Sequence, residues 1–215
     1  MDVTRAVTAS DPPQDAPGGA SVDLLWLPLG AGGHFVRRNG RVFEAVAAGI
    51  ARRPRYDLYH SALDVHLDGV ATVIEMTPVP DGGGARRGVV AEGPVGARWA
   101  GRLRLFRYEV RRWPGGCIPD ADEAVGPPRR LTRQRARAAR VLDLVPRVPT
   151  PVWGRDELGT GEMWNSNSLI SWLIVGAELD IDGARPPRGG RAPGWDAGIA
   201  VARRGAAGRL GRDGA

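Results

Sequence analysis

The 215-residue sequence contains no lysine: all 30 of its basic residues are arginine. Asparagine occurs only at Asn39, Asn165 and Asn167, histidine only at His34, His60 and His66, and cysteine only at Cys117. A single cysteine excludes an internal disulfide and a thiolate-built zinc site. The missing lysine counts against a phosphate loop at Gly30-Ala-Gly-Gly33, which would also have to open a helix directly. Apolar runs are short as well. The longest, around residues 24–29 and 169–175, fall well below the ~20 residues of a membrane span. No basic-then-apolar leader opens the chain. These absences predict a cytoplasmic protein with no membrane span, and neither a metal nor a cofactor is expected.

What is present is ordinary for a folded domain in bulk: 42% apolar and 25% charged residues, which exclude disorder over the whole length. Gly and Pro are abundant, at 31 and 18, so short elements and many loops are expected. The net charge of +6 raises nucleic acid as a partner. An Ala/Gly/Pro/Arg-dominated composition of the kind a GC-rich bacterium produces accounts for much of that excess. The charge is nonetheless uneven, with fifteen Arg against six acids between residues 86 and 147.

Along the chain, residues 1–20 are small, polar and Pro-rich and read as a disordered arm. Residues 206–215 read as a loose tail, leaving one domain over 21–205. Residues 22–29 form an apolar strand ending at Gly30, Asn39-Gly40 marks a turn, and 42–53 has helical spacing stopped by Pro54. Strands at 56–67 and 70–79 flank Asp68-Gly69, a two-residue hairpin turn. In register, this pairs Leu63 with Ile74 and Ala62 with Glu75. His60 then lies opposite Thr77 and diagonal to Glu75, on the face of Ala62 and Asp64. Asp81-Gly-Gly-Gly84 is a loop. Residues 98–113 read as a long strand whose apolar parity switches near Arg107, as a bulge would cause. A loop over 114–128, a helix over 132–144, an extended stretch over 146–151, a helix over 166–179 and a short strand over 198–202 complete the chain. Strands followed by helices predict an α+β fold with a small antiparallel sheet packed with helices.

Two of the three asparagines fall in Trp164-Asn165-Ser166-Asn167-Ser168, where a loop becomes a helix. Asn and Ser are favoured helix caps, and capping accounts for one of these polar residues better than for all four. A helix start also offers free N–H groups and partial positive charge to an oxyanion or a nucleophile. The dipole is worth about 0.3–1 kcal/mol, and up to ~2 when partly buried, far too little to ionise a serine. A serine nucleophile here needs a general base within hydrogen-bond reach, and the three histidines are the only imidazoles.

The segment Asn165-Ser166-Asn167-Ser168-Leu169-Ile170-Ser171-Trp172-Leu173 resembles the Asn-Cys-x-x-Phe-Val-x-x-Leu segment of the permuted papain-like proteins, the lecithin retinol acyltransferase type and its bacterial relatives. In that superfamily the base histidine stands on an upstream strand, a polar residue on the next strand orients it, and the nucleophile opens a helix about a hundred residues later. Ser166 follows His60 by 106 residues. The resemblance therefore implies Ser166 as nucleophile, His60 as base and Glu75, or Thr77, as orienting residue, with Asn165, Asn167 and Trp164 around the substrate. It implies an acyl-transfer or amide- or ester-hydrolysing activity on an acyl, peptide or ester substrate. The family's cysteine is a serine here, so a second expectation stands beside the first: a catalytically inactive papain-like fold that binds a peptide, lipid or protein.

Other features have simpler explanations. Cys117 lies in a loop with no helix behind it, and His66 lies near the hairpin tip. The arginines at 133, 137 and 140 are better read as a solvated helix face than as a phosphate track, since no nucleic-acid motif accompanies them. Trp153, Trp164, Trp172 and Trp195 complete a small core or wall a cleft.

Overall fold

The computed structural model describes residues 19–29, 57–79, 88–118 and 121–213. Among these residues lie seven strands: β1 (Ser21–Pro28), β2 (Asp57–Leu67), β3 (Val70–Pro78), β4 (Val89–Pro94), β5 (Arg107–Pro114), β6 (Arg129–Thr132) and β7 (Gly190–Arg191). Three α-helices accompany them: α1 (Arg135–Leu144), α2 (Ser166–Gly176) and α3 (Trp195–Asp213). The main sheet runs antiparallel in the order β4-β5-β3-β2-β1-β6, and β7 adds in parallel beside the start of β2. The protein is thus α+β, with the sheet and its helices as expected.

The hairpin follows from its turn. Asp68 and Gly69 both have positive φ, 53° and 82°, the conformation that a primed two-residue turn requires. The pairs Leu63↔Ile74, Val65↔Thr72 and Leu67↔Val70 match the expected register. β1 is an almost continuous apolar run because it lies between β2 and β6 and is covered on both faces. Its Trp26 joins the main core with Val22 and Leu24, whereas Leu25 and Leu27 pack with Ala62, Val73 and Ile118 on the other face.

Odd-numbered β2 residues Tyr59, Leu63 and Val65 share the main core with Val141 and Leu142 of α1 and Leu169, Ile170, Leu173 and Ile174 of α2. That face carries the helices. Arg137 and Arg140 of α1 donate to the carbonyls of Glu178 and Gly176 at the end of α2. These are the unpaired acceptors every helix C-terminus leaves.

Four sequence expectations need correction. Residues 98–106 are not strand: two 3₁₀ turns, Trp99–Arg102 and Arg104–Phe106, precede β5. The parity switch near Arg107 marks this change of element, not a bulge within one strand. The predicted strand at 198–202 is part of α3. Its buried positions are Trp195, Ala197, Gly198 and Ala202, with Trp195, Gly198 and Ala202 at the i, i+3, i+7 spacing of one helix face. The same helix crosses residue 205 and continues to Asp213, so residues 206–213 of the expected loose tail are helix and 205 is not a boundary. The helix predicted from residue 132 begins at Arg135, because 129–132 form β6 against β1. The arm at 1–18, Gly30–Gly33 with His34, the turn at Asn39, the helix at 42–53 and the loop at 81–84 lie outside the described residues. No described helix is long and apolar enough to cross a membrane.

Candidate functional site

The start of α2 gathers most of the polar residues singled out above. Asn165 is the N-cap: its side chain accepts from the backbone N–H groups of Asn167 and Ser168 at 2.9 and 3.4 Å, and Ser168 Oγ accepts from the Asn165 N–H at 3.1 Å. This reciprocal capping box satisfies N–H groups that a helix start leaves free. Asn167 is buried and reaches the sheet. It accepts from Ser61 Oγ at 2.9 Å and donates to the Tyr59 and Pro193 carbonyls, both at 3.0 Å. Ser168 Oγ donates to the Gly194 carbonyl at 2.7 Å, and Ser171 Oγ donates to the Trp195 carbonyl at 2.7 Å. One polar seam therefore ties α2 to β2 on one side and to the start of α3 on the other.

Two further residues complete the seam. Glu162 accepts from the Gly194 N–H at 2.9 Å, so a carboxylate caps the start of α3. Burial, and secondly the Asp196 charge, hold the Glu162 carboxyl above the usual range. Gly198 sits where α3 crosses α2. A Cβ there would lie 2.1 Å from the Ser168 carbonyl oxygen, closer than atoms can approach, which explains a glycine inside a helix. Ser61, Ser171 and Gly198 carry no sequence signal of this role, and no local motif marks them; Glu162, with Asp156 and Glu157 near Ser166 in sequence, lacks a histidine at metal-ligand spacing and signals no site either.

Ser166 occupies the first helical position, is 6% exposed and makes no side-chain hydrogen bond among the described residues. The base expected beside it lies elsewhere. β1 pairs Leu27 with His60 and Leu25 with Ala62, so His60 shares the face of Leu25, Leu27 and Ala62. Ser61, its neighbour, is the residue bonded to Asn167. Side chains alternate along a strand, so His60 points away from the face on which α2 begins. No hydrogen bond joins it to Ser166, and the expected Ser166–His60 dyad is not formed. Burial pushes the His60 imidazole down to about 4, so at neutral pH it is uncharged.

The register carries Glu75 to the His60 face, but its carboxylate is held by Arg111 Nη1 at 2.8 Å. Arg111 also donates through Nε and Nη2 to Glu109 Oε2 at 3.1 and 2.9 Å. Glu109 is fully buried and Arg111 nearly so. Glu75 therefore belongs to a carboxylate–guanidinium–carboxylate cluster on the second sheet face, not to an oriented imidazole. Thr77 is paired with Glu109 across β3 and β5, and its hydroxyl turns to the Pro78 carbonyl at 3.4 Å. A strand parity shared by Glu109 and Arg111, alternating with apolar Tyr108 and Val110, was the available signal for this cluster.

Trp164 is buried in the main core. Trp195 packs on Trp26, with ring centroids 4.9 Å apart. It also lines a cleft of about 490 Å³ beside the start of α3, within the range of small-ligand sites. Ile181 and Ile199 supply further apolar wall, with Glu162, Asp196 and Arg191 supplying charge of both signs. Ser166, His60 and Glu75 do not line it. Among the described residues no group of three or more His, Cys, Asp or Glu is gathered to hold a metal ion. Cys117 is exposed, and His66 is half-exposed beside Asp64 at 3.2 Å.

The site thus defines an α+β protein whose helix start is hydrogen-bonded into its own scaffold, next to an open cleft. Compared with known proteins, the chain matches no family model, no curated protein and no solved structure.

Proposed function

We propose that the chain is a catalytically silent binding module with the element order of the permuted papain-like proteins, taking its ligand in the cleft at the start of α3. The observation that carries this reading is the Ser61–Asn167 hydrogen bond. It assigns the helix start to the odd-numbered face of β2 and His60 to the other. A serine hydroxyl has no nucleophilic strength without a base in reach, and among the described residues no histidine or carboxylate is hydrogen-bonded to the serine at the family's cysteine position. The remaining polar groups of the segment hold the fold together. The cleft, with apolar walls and both signs of charge, suits a peptide, whose amides and termini use both.

The test is covalent labelling of the full chain with a serine-directed phosphonate, followed by intact-mass measurement. No adduct is expected at any pH between about 5 and about 9, the span in which an imidazole base is normally active. An adduct that disappears in Ser166→Ala overturns the proposal and restores acyl transfer or hydrolysis as the function.

A further inference from the structure

The described residues leave six large apolar side chains exposed, and four of them fall within eight consecutive positions. Trp99 is 74% exposed, Leu103 58%, Leu105 78% and Phe106 41%. They alternate with Arg98, Arg102, Arg104 and Arg107, and no acidic residue occurs from Gly93 to Tyr108. Single exposed leucines are normal; a contiguous group of four large apolar side chains marks an interaction surface.

This segment is held in place by its own contacts. Its two 3₁₀ turns are closed by Leu103 N–H to Ala100 C=O at 2.9 Å and Phe106 N–H to Leu103 C=O at 3.0 Å. Arg107 Nε donates to the Gly101 carbonyl at 2.6 Å. Ala100 is buried, and Gly101 lies so close to Pro94 that a Cβ would come within 2.7 Å of it. Arg98 makes a two-pronged pair with Glu157 at 2.7 and 3.0 Å, and Arg107 pairs with Glu92 at 3.1 Å. The backbone is thus fixed from within while the four apolar side chains project outward. Arg102 and Arg104, both exposed, have no ion pair or hydrogen bond among the described residues.

We propose that residues 99–106 dock the protein on an anionic lipid bilayer surface. Trp99, Leu103, Leu105 and Phe106 enter the interfacial zone, while Arg102 and Arg104 meet lipid phosphates. Two features favour a bilayer over a protein partner. The apolar side chains lie on two successive tight turns and do not form one helical stripe, so they make a knob with no single flat face. A fluid interface receives such a knob without a complementary pocket. Charge complementarity points the same way, because the free charges at the tip are both guanidinium groups. Tryptophan prefers the headgroup level, and arginine stems lie along apolar surface while the heads stay with phosphate.

The test is co-sedimentation of the full chain with vesicles of phosphatidylcholine alone and of phosphatidylcholine mixed with phosphatidylglycerol. Binding is expected only to the mixed vesicles and should weaken with salt. It should fall by about tenfold or more in Arg102→Gln/Arg104→Gln, given the usual contribution of a basic residue at an anionic surface. Leu103→Ser/Leu105→Ser, at exposed positions and therefore folded by circular dichroism, should fail to sediment. Failure of the wild-type chain to bind the mixed vesicles overturns the proposal. So does binding that survives the double Leu substitution. Loss of self-association in that variant, with no lipid binding by the wild type, reassigns the knob to a second copy of the chain.

Discussion

Asn167 decides whether the polar start of α2 is scaffold or site. Its side chain is 2% exposed and makes three hydrogen bonds, and truncation in Asn167→Ala removes all of them at unequal cost. The Pro193 carbonyl keeps a donor, Asn165 Nδ2 at 2.8 Å. The Ser61 hydroxyl, itself fully buried, loses its acceptor, and the Tyr59 carbonyl loses a donor. A buried polar group stranded in this way costs about 1–3 kcal/mol, so two give roughly 4 kcal/mol in the middle of the range. At about 2–4 °C per kcal/mol for a chain of this size, the melting temperature should drop by roughly 8–16 °C. Urea unfolding followed by circular dichroism measures the free energy directly. Ser61→Ala in the Asn167→Ala background should recover about 1 kcal/mol or more, since neither partner is then left unpaired. A residue kept for function behaves in the opposite way, because removing it leaves stability unchanged or improves it. Melting of Asn167→Ala within about 2 °C of the parent, less than the effect of one ordinary hydrogen bond, refutes the scaffold argument.

The parts of this fold that were legible in the sequence are those governed by local chemistry. Asp68-Gly69 can only be a tight turn between its two runs, and that turn sets the whole β2–β3 register. The capping signal at Asn165 and Ser168 likewise locates the start of α2. Elements that owe their existence to distant partners were not legible. β4 and β6 have six and four residues, too few for periodicity to register, and exist because β5 and β1 pair with them. Leu103 and Leu105 look like one face of a strand until the structure shows both in solvent. In α3, glycine at 198 and 205 weakens any helical prediction, and the requirement for Gly198 appears only where α2 crosses it.

The site divides along the same line. Composition alone marked the Asn165–Ser168 segment as unusual, and the register correctly put Glu75 on the face of Ala62. What strand periodicity cannot supply is which face the helix covers. The decisive pair, Ser61 with Asn167, is 106 residues apart in sequence, and the difference between Ser61 and His60 at that contact is one residue of parity.

Two other perturbations test separate parts of the structure. His60, held near 4 by burial, takes up a proton on unfolding wherever the pH lies between about 4 and its ordinary value near 6.5. Its contribution is therefore fully present above about pH 6.5 and is lost as pH falls toward about 4, by up to about 3 kcal/mol. Urea unfolding across that window should show stability rising with pH, with a smaller slope in His60→Gln; equal slopes would remove burial of the imidazole as the cause. Gly198→Ala and Gly205→Ala make the same chemical change in the same helix with opposite expected signs. Gly205 is exposed, so alanine there should stabilise α3 by up to about 1 kcal/mol through propensity alone. At Gly198 the added methyl meets the Ser168 carbonyl oxygen and Ser171 Oγ, both at 2.1 Å. The oxygen belongs to the α2 backbone and cannot rotate away, so the two helices must part. Overpacking of this kind costs about 1–3 kcal/mol or more, which outweighs the propensity gain. Thermal melts of the two variants should move in opposite directions from the parent, and movement in the same direction would mean that the close crossing of α2 and α3 is not what keeps glycine at 198.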